Sequence, residues 1–229
     1  EELAQLPLAH QPGTVWHYGV SIDVLGRLIE ILSGQTLGGF LSERLFEPLG
    51  MQDTAFWVPS SKLERFSVTY GPNEEGALIA LDRRDGGFSR PRAFEMGGGG
   101  LVASSADYLR FAQMMLNGGA LDGKHVLGPK TVALMRQDHM PTTAQRYSLE
   151  ADGMWHGYGY GLGFAVVLEP ALTGLPHSAG TWHWGGAAGT YFWVDPQEEL
   201  IGLLMPQYMG PSLPYQSQFR ALVYQALVE

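Results

Sequence analysis

Histidines, a glycine tract and scattered serines are the first residues in this chain that could do chemistry. The histidines are His10, His17, His125, His139, His156, His177 and His183. A zinc site needs several of them at short fixed spacings, as in H-E-x-x-H on one helix face. No pair lies four apart and no acidic residue completes such a site, so no metal is expected. The tract from Gly97 to Gly100 has the composition of a phosphate loop. No Lys follows it, as a Walker loop requires, and no dinucleotide-type strand-turn-helix unit surrounds it. It reads as a tight turn or a close approach of two backbone segments.

Serine nucleophiles follow two plans. The nucleophile elbow G-x-S-x-G is absent. The other plan, S-x-x-K, puts Ser and Lys on one helix face so that the amine can take the hydroxyl proton. Three residues after Ser21 stands Val24, after Ser61 Glu64 and after Ser105 Tyr108, and no serine has Lys at that spacing. With no Cys in the sequence, thiol chemistry and Cys-based metal sites are closed too. Two segments still look like parts of a serine site. One is Trp16-His17-Tyr18, at the mouth of a helix that continues from Ser21 to Gly26. The other runs from Trp182 to Thr190, where Gly185, Gly186, Ala187, Ala188 and Gly189 would let a substrate lie close against a strand.

The elements that must position these segments follow from punctuation and periodicity. Ile22, Leu25, Ile29 and Leu32 recur at helical spacing, with Ser21 as N-cap and Ser33-Gly34 as the end. A second helix is expected from Leu37 to Glu47, presenting Phe40, Leu41 and Leu45 and stopped by Pro48. Residues 50–100 read as short strands and turns. Ser104 or Ser105 caps a helix through Tyr108, Phe111, Ala112 and Met115 that ends at Asn117-Gly118-Gly119, and Pro129 opens another to about Gln137. Three apolar runs follow, Tyr158 to Glu169, Trp182 to Val194 and Leu200 to Met205, and Asp195 to Glu198 makes a hairpin connection between the last two. A terminal helix carries Phe219, Leu222, Val223, Ala226 and Leu227 on one face. Helices, then strands, then a covering helix give an α+β build. The expected division is a mainly helical domain over residues 1–150, with an irregular insertion at about 50–100, and C-terminal strands with a terminal helix over residues 151–229.

Charge narrows the partners. Of 229 residues, 14 are basic and 23 acidic, a net charge of −9, and Lys occurs only as Lys62, Lys124 and Lys130. Nucleic-acid binding draws on clustered Lys and Arg, so it is excluded. No window approaches the roughly 18 apolar residues of a membrane span. The chain begins Glu1-Glu2-Leu3-Ala4 with no initiator Met or targeting segment, the start expected of an internal point of a longer polypeptide or of a processed end.

Three motifs taken in order carry a resemblance. They are Pro12-Gly13-Thr14-x-Trp16-x-Tyr18 running to Asp23-Val24-Leu25-Gly26, then Glu47-Pro48-Leu49-Gly50-Met51-x-Asp53-Thr54, then Gly99-Gly100-Leu101-Val102-x-Ser104. Essentially the whole chain resembles the serine β-lactamase-like family, and within it the class C and family VIII carboxylesterase branch. The resemblance implies a β-lactamase/transpeptidase-like fold, an α/β sandwich with an antiparallel sheet beside a mainly helical domain. This chain would lack the N-terminal part that carries S-x-x-K.

The resemblance also implies roles. Tyr18 matches the family's tyrosine and would act as general base toward the serine hydroxyl and as acid toward the leaving group. A phenol titrates near ~10, so such a base needs a cation beside it, here the Lys of the missing S-x-x-K. The alternative is an aromatic packed at a helix start. Val20 stands where Asn often sits. Trp184-Gly185-Gly186 matches the K-T-G or H-x-G strand motif as a substrate-binding wall, with a strand carrying a glycine bulge as the alternative. An indole offers an apolar surface and one N–H where lactamases place a cation, which favours neutral esters. The Ala187 backbone N–H would be one oxyanion donor, and the serine's own amide the other. The expected activity is carboxylesterase-type hydrolysis of short-chain or aromatic esters through an acyl-enzyme. A β-lactamase or penicillin-binding peptidase and a non-catalytic binding relative are the alternatives. The implied partners are a small ester and a companion N-terminal segment carrying S-x-x-K, and no cofactor is implied.

Overall fold

Pro12 and Gly13 form the turn from which the chain enters β1 (Val15–Trp16), Gly13 taking φ +80°. The computed structural model describes residues 2–140, 145–146, 156–211 and 214–228, so the expected domain boundary at residue 150 lies outside the described residues. After Tyr18 the chain enters α1 (Ser21–Ser33), which ends at Gly34 in the left-handed conformation, as the glycine predicts. The start differs from expectation. Val20 occupies the boundary with no side-chain cap, and Ser21 lies inside the first turn. The buried residue of α1 is Gly26, because a bare backbone is what the glycine tract can approach. A Cβ on Gly26 would meet Leu37 and the Gly97 backbone, and one on Gly97 would run into the Ile22 carbonyl. Asp23 Oδ1 accepts from the Gly98 N–H at 3.0 Å. The tract is a close backbone approach that clamps α1, and it leaves Ile22, Leu25, Leu28, Ile31 and Leu32 exposed.

Thr36 caps α2 (Leu37–Leu41) by accepting from the Gly39 N–H. A wider π turn (Ser42–Phe46) then leads into α3 (Glu47–Leu49). Pro48 therefore does not stop the run. It sits at the second residue of α3, and Gly50 at φ +67° caps the helix after Leu49. A 3-10 turn (Ser60–Arg65) precedes the antiparallel pair β2 (Thr69–Pro72) and β3 (Leu78–Asp82).

Ser104 caps α4 (Ser105–Leu116), accepting from the Asp107 N–H. The Asp107 carboxylate then reaches the motif upstream: Oδ2 accepts from the Asp53 N–H at 2.6 Å and the Thr54 hydroxyl at 2.9 Å. Asp53 in turn receives Lys62 and Arg65, each at 2.7 Å, and the hydrogen bonds from Arg65 and then Lys62 hold its carboxyl at about 2. Beyond α4 lie the short pair β4 (Ala120–Leu121) and β5 (Lys124–His125), then α5 (Pro129–Met135) with Pro129 in its first turn, then β6 (Gln145–Arg146), which pairs parallel with β1.

The three apolar runs resolve into five strands. The first is the hairpin of β7 (Tyr158–Tyr160) and β8 (Ala165–Val167), followed by α6 (Pro170–Thr173). The second breaks at the small residues into β9 (Trp182–Gly185) and β10 (Tyr191–Asp195), and the third is β11 (Leu200–Leu204). They form one antiparallel sheet in the order β11-β10-β9-β8-β7. The connection after Asp195 turns as expected: Asp195 Oδ1 accepts from the Gln197 and Glu198 N–H groups, and Glu199 takes φ +49°.

One apolar core fills the space between this sheet and the helices. Phe46, Leu49, Met51, Ala112, Met114, Met115 and Val132 pack against Val166, Trp182, Phe192 and Val194. The opposite face of β10 meets α7 (Tyr215–Gln225), with Phe219 edge-on to Trp193 at 5.6 Å. The face predicted for α7 is corrected here. Leu222 is exposed, Ala226 and Leu227 lie beyond the last helical residue, and the fully buried residue is Arg220. Arg220 lies over the Trp193 ring at 5.5 Å and donates from Nη1 to the Tyr191 hydroxyl at 2.8 Å. Cation–π contact and one hydrogen bond thus replace the apolar contact that periodicity implied. Among the described residues no helix is long and apolar enough to cross a membrane.

Candidate active site

Tyr18 lies in the three-dimensional neighbourhood of Trp184 although most of the chain separates them in sequence. The segment carrying Tyr18 is anchored on one side by β1, whose pairing with β6 fixes Val15 and Trp16, and on the other by α1. Trp184 is set by β9, where pairing with β10 runs unbroken from Trp182 opposite Val194 to Gly185 opposite Tyr191. The Tyr18 and Trp184 rings stack at 6.0 Å with 28° between their planes. Tyr18 is 59% exposed, so burial at the helix start is not what places it. Gly185 belongs to the regular ladder rather than to a bulge.

Gly186 begins a tight turn into β10. Its N–H donates to the Thr190 carbonyl at 2.8 Å, and the Gly189 N–H donates to the Gly186 carbonyl at 2.9 Å. Gly189 takes φ +79°, and a Cβ there would run into the Tyr215 hydroxyl. The first turn of α7 grips this loop from outside: the Tyr215 hydroxyl and Gln216 Nε2 both donate to the Gly189 carbonyl, at 3.3 and 3.1 Å. Ala187 sits at the exposed crest, and its N–H meets no acceptor among the described residues. Val20, exposed at the start of α1, completes the set of residues singled out in the sequence.

Two further rings complete the neighbourhood, Trp16 from the same motif as Tyr18 and Tyr160 with no signal of its own. Trp16 lies 5.0 Å from Tyr160 and 6.4 Å from Tyr18, and Tyr160 meets the edge of Trp184 at 5.5 Å. Trp16, Tyr18, Trp184 and Tyr160 therefore form a closed circuit of rings. Tyr160 comes from a strand whose alternating Tyr and Gly announce only a strand, and a pairing with Trp184 leaves no mark in sequence. Burial raises the Tyr160 hydroxyl above the ordinary phenol range, and a charge on Tyr18 acts in the same direction. Asp138 is bonded to this circuit, its Oδ1 accepting from the Tyr160 N–H at 3.0 Å.

Behind the site, His183 lies on the reverse face of β9 between the rings of Tyr158 and Tyr191, at 5.0 and 5.6 Å. Burial first, and then the Arg220 charge, keep it far below its usual titration range. His177 accepts or donates with the Thr173 hydroxyl at 2.7 Å. Burial and the Arg220 charge bring it down to about 4 despite Asp195. Both are neutral imidazoles of the layer beneath α7. Among the described residues no three His, Asp or Glu side chains converge as metal ligands.

A helical layer on one antiparallel sheet, with a tyrosine before a helix facing a strand that ends in glycines, is the β-lactamase/transpeptidase-like architecture. The family described as Beta-lactamase matches residues 1–225, and the chain belongs to that family. It is 39% identical to Protein Rv1367c of Mycobacterium tuberculosis over 90% of this chain and 52% of that protein. It is 32% identical to Esterase EstB of Burkholderia gladioli over 97% of this chain and 57% of that one. The solved structure of EstCE1, described as a hydrolase with promiscuous acyltransferase activity, superposes with a TM-score of 0.76 at 27% identity. That match covers 97% of this chain and 59% of that chain. The chain thus spans about half the length of the curated relatives it matches.

Proposed function

We propose that this chain forms the larger part of a serine hydrolase of the carboxylesterase type, which cleaves short-chain or aromatic esters through an acyl-enzyme. The nucleophilic Ser and its Lys come from a companion segment. The observation that carries this reading is the stacking of Tyr18 on Trp184, with the Ala187 turn directly after that strand. The names of EstB and EstCE1, an esterase and a hydrolase, support it. So does the exposed apolar stripe of α1, since a monomer rarely leaves so much contiguous apolar surface uncovered.

In this reading Tyr18, ionised beside the Lys, takes the serine proton as Oγ bonds to the ester carbonyl carbon. The oxygen that gains charge accepts from the Ala187 N–H and from the serine's own amide. When the carbon–alkoxide bond breaks, Tyr18 returns the proton to the leaving oxygen. Water, deprotonated by the same phenolate, bonds to the acyl carbon, the carbon–Oγ bond breaks to release the acid, and Tyr18 returns the proton to Oγ. Trp184 in place of a cation gives an anionic β-lactam carboxylate nothing to pair with, which favours neutral esters.

The test uses the complete polypeptide. With p-nitrophenyl acetate, intact-mass analysis should show an acetylated protein and Tyr18→Phe should abolish turnover. Near-normal turnover in that variant sinks the role given to Tyr18. A fluorescent penicillin that acylates the protein faster than the ester does would place it with the lactam-processing relatives instead.

A further inference from the structure

The circuit of rings has a consequence for which esters the site prefers, and it rests on the hydrolase reading above. Tyr18 is the group that would hand a proton to the departing alcohol, so whatever packs about Tyr18 borders the alcohol half of the substrate. Those neighbours are aromatic on both sides: Trp184 stacked at 6.0 Å and Trp16 at 6.4 Å. Tyr160 closes the circuit by touching both indoles edge-on, at 5.0 and 5.5 Å. With neighbouring centroids this near, the rings fill one another and leave no cage among them, so a ligand would lie on the block rather than inside it. Edge-to-face packing fixes the angle of each indole and therefore which face it shows. An acid, Asp138, accepts from the Tyr160 N–H on the backbone side of that ring.

We infer that Tyr160 is a specificity-determining residue: by holding Trp16 and Trp184 as one wall beside Tyr18, it selects esters whose alcohol part is a flat ring. Because the wall borders the alcohol half of the ester, acyl length should not register at Tyr160.

The experiment measures kcat/KM for 2-naphthyl acetate, 2-naphthyl butyrate and ethyl acetate in the complete polypeptide and in Tyr160→Ala, Tyr160→Leu and Tyr160→Phe. Intrinsic ester reactivity cancels when each variant is compared with its parent on the same ester. Tyr160→Ala and Tyr160→Leu should lose about tenfold on both naphthyl esters, mainly through KM, and stay within about twofold on ethyl acetate. Tyr160→Phe, which keeps the ring, should stay within about twofold on all three. Equal losses on naphthyl and ethyl esters, or a loss that depends on acyl length, overturn the inference. Tyr160→Leu retains bulk, so it reports on the ring even if Tyr160→Ala does not fold. Binding of 2-naphthol, followed by quenching of indole fluorescence, separates this inference from the hydrolase reading. Weakening of about tenfold in Tyr160→Leu without any ester turnover keeps the wall and removes the hydrolase. Unchanged binding removes the wall, whatever the turnover.

Discussion

The Tyr18 phenol ring stacks on the Trp184 indole at 6.0 Å, joining a loop before the first long helix to the central strand of the sheet. The tyrosine is largely exposed and the indole half-buried, so the indole is the fixed face of the pair, while β1 and α1 hold the Tyr18 backbone on either side. Trp184→Phe keeps a ring in place and should leave ester kcat/KM within about threefold, whereas Trp184→Ala should lower it more than about tenfold. Steady-state kinetics with p-nitrophenyl acetate on the complete polypeptide, with thermal unfolding as the fold check, decides between them. Equal losses of about tenfold or more would mean that the indole N–H, not the ring face, is what matters, and equal losses within about threefold that neither does.

Asp107 makes a second long-range tie. Buried at the third position of α4, it accepts from the Asp53 N–H and the Thr54 hydroxyl, so removing its carboxylate strands two donors. Asp107→Ala should destabilise the fold by about 2–4 kcal/mol, read from the urea midpoint at unchanged slope. Ser104→Ala, which removes only the cap, should cost about 1 kcal/mol.

What could be read from sequence depended on whether the signal was local. Gly34, Ser104, Pro129 and the Asp195 turn act on their own neighbours, and the structure has each where residue type predicts. Ser21 and Pro48 were misplaced because cap and breaker tendencies yield to a one-residue shift of the helix start and to a π turn. The apolar spacing of α1 located the helix but not its buried side, since the clamp is backbone against backbone at Gly26 and Gly97 and a glycine carries no hydropathy signal. Arg220 was invisible for the opposite reason. Its charge argues for solvent, and only the aromatic face of β10, assembled by the sheet, makes burial tolerable. At the site, Tyr18 and Trp184 were legible as motif residues. Trp16 was legible beside them in the same motif, and only Tyr160 was not, because ring contacts between distant segments have no local spacing.

The layer beneath α7 gives the protein an acid-sensitive component. His177 is brought from 6.5 to about 4 by burial and by Arg220. A depressed folded value means that the unfolded chain binds the proton first. The stability it contributes is full above about pH 6.5 and is lost as pH falls toward about 4. His183 shifts in the same direction and should add to the same slope. The melting temperature should therefore fall between pH 6.5 and 4, and His177→Gln should make that fall shallower. A slope unchanged by His177→Gln would show that the imidazole is protonated alike in both states.

Gly189 tests whether the turn after β9 matters to chemistry or only to folding. Its φ of +79° disfavours any side chain, and a Cβ would displace the Tyr215 hydroxyl that, with Gln216, holds the Gly189 carbonyl. Gly180 supplies the control, with φ +86° and open space where its Cβ would be. Each Ala substitution should cost about 1 kcal/mol or somewhat more from backbone strain. Only Gly189→Ala loosens the loop that presents the Ala187 N–H, so it alone should lower kcat, by about tenfold or more if that N–H meets the oxyanion. Gly180→Ala should melt earlier yet turn over normally below its transition. If both variants lose stability alike and both keep parental kcat, the crest at Ala187 contributes nothing to the rate, and the oxyanion must find its donors on another segment.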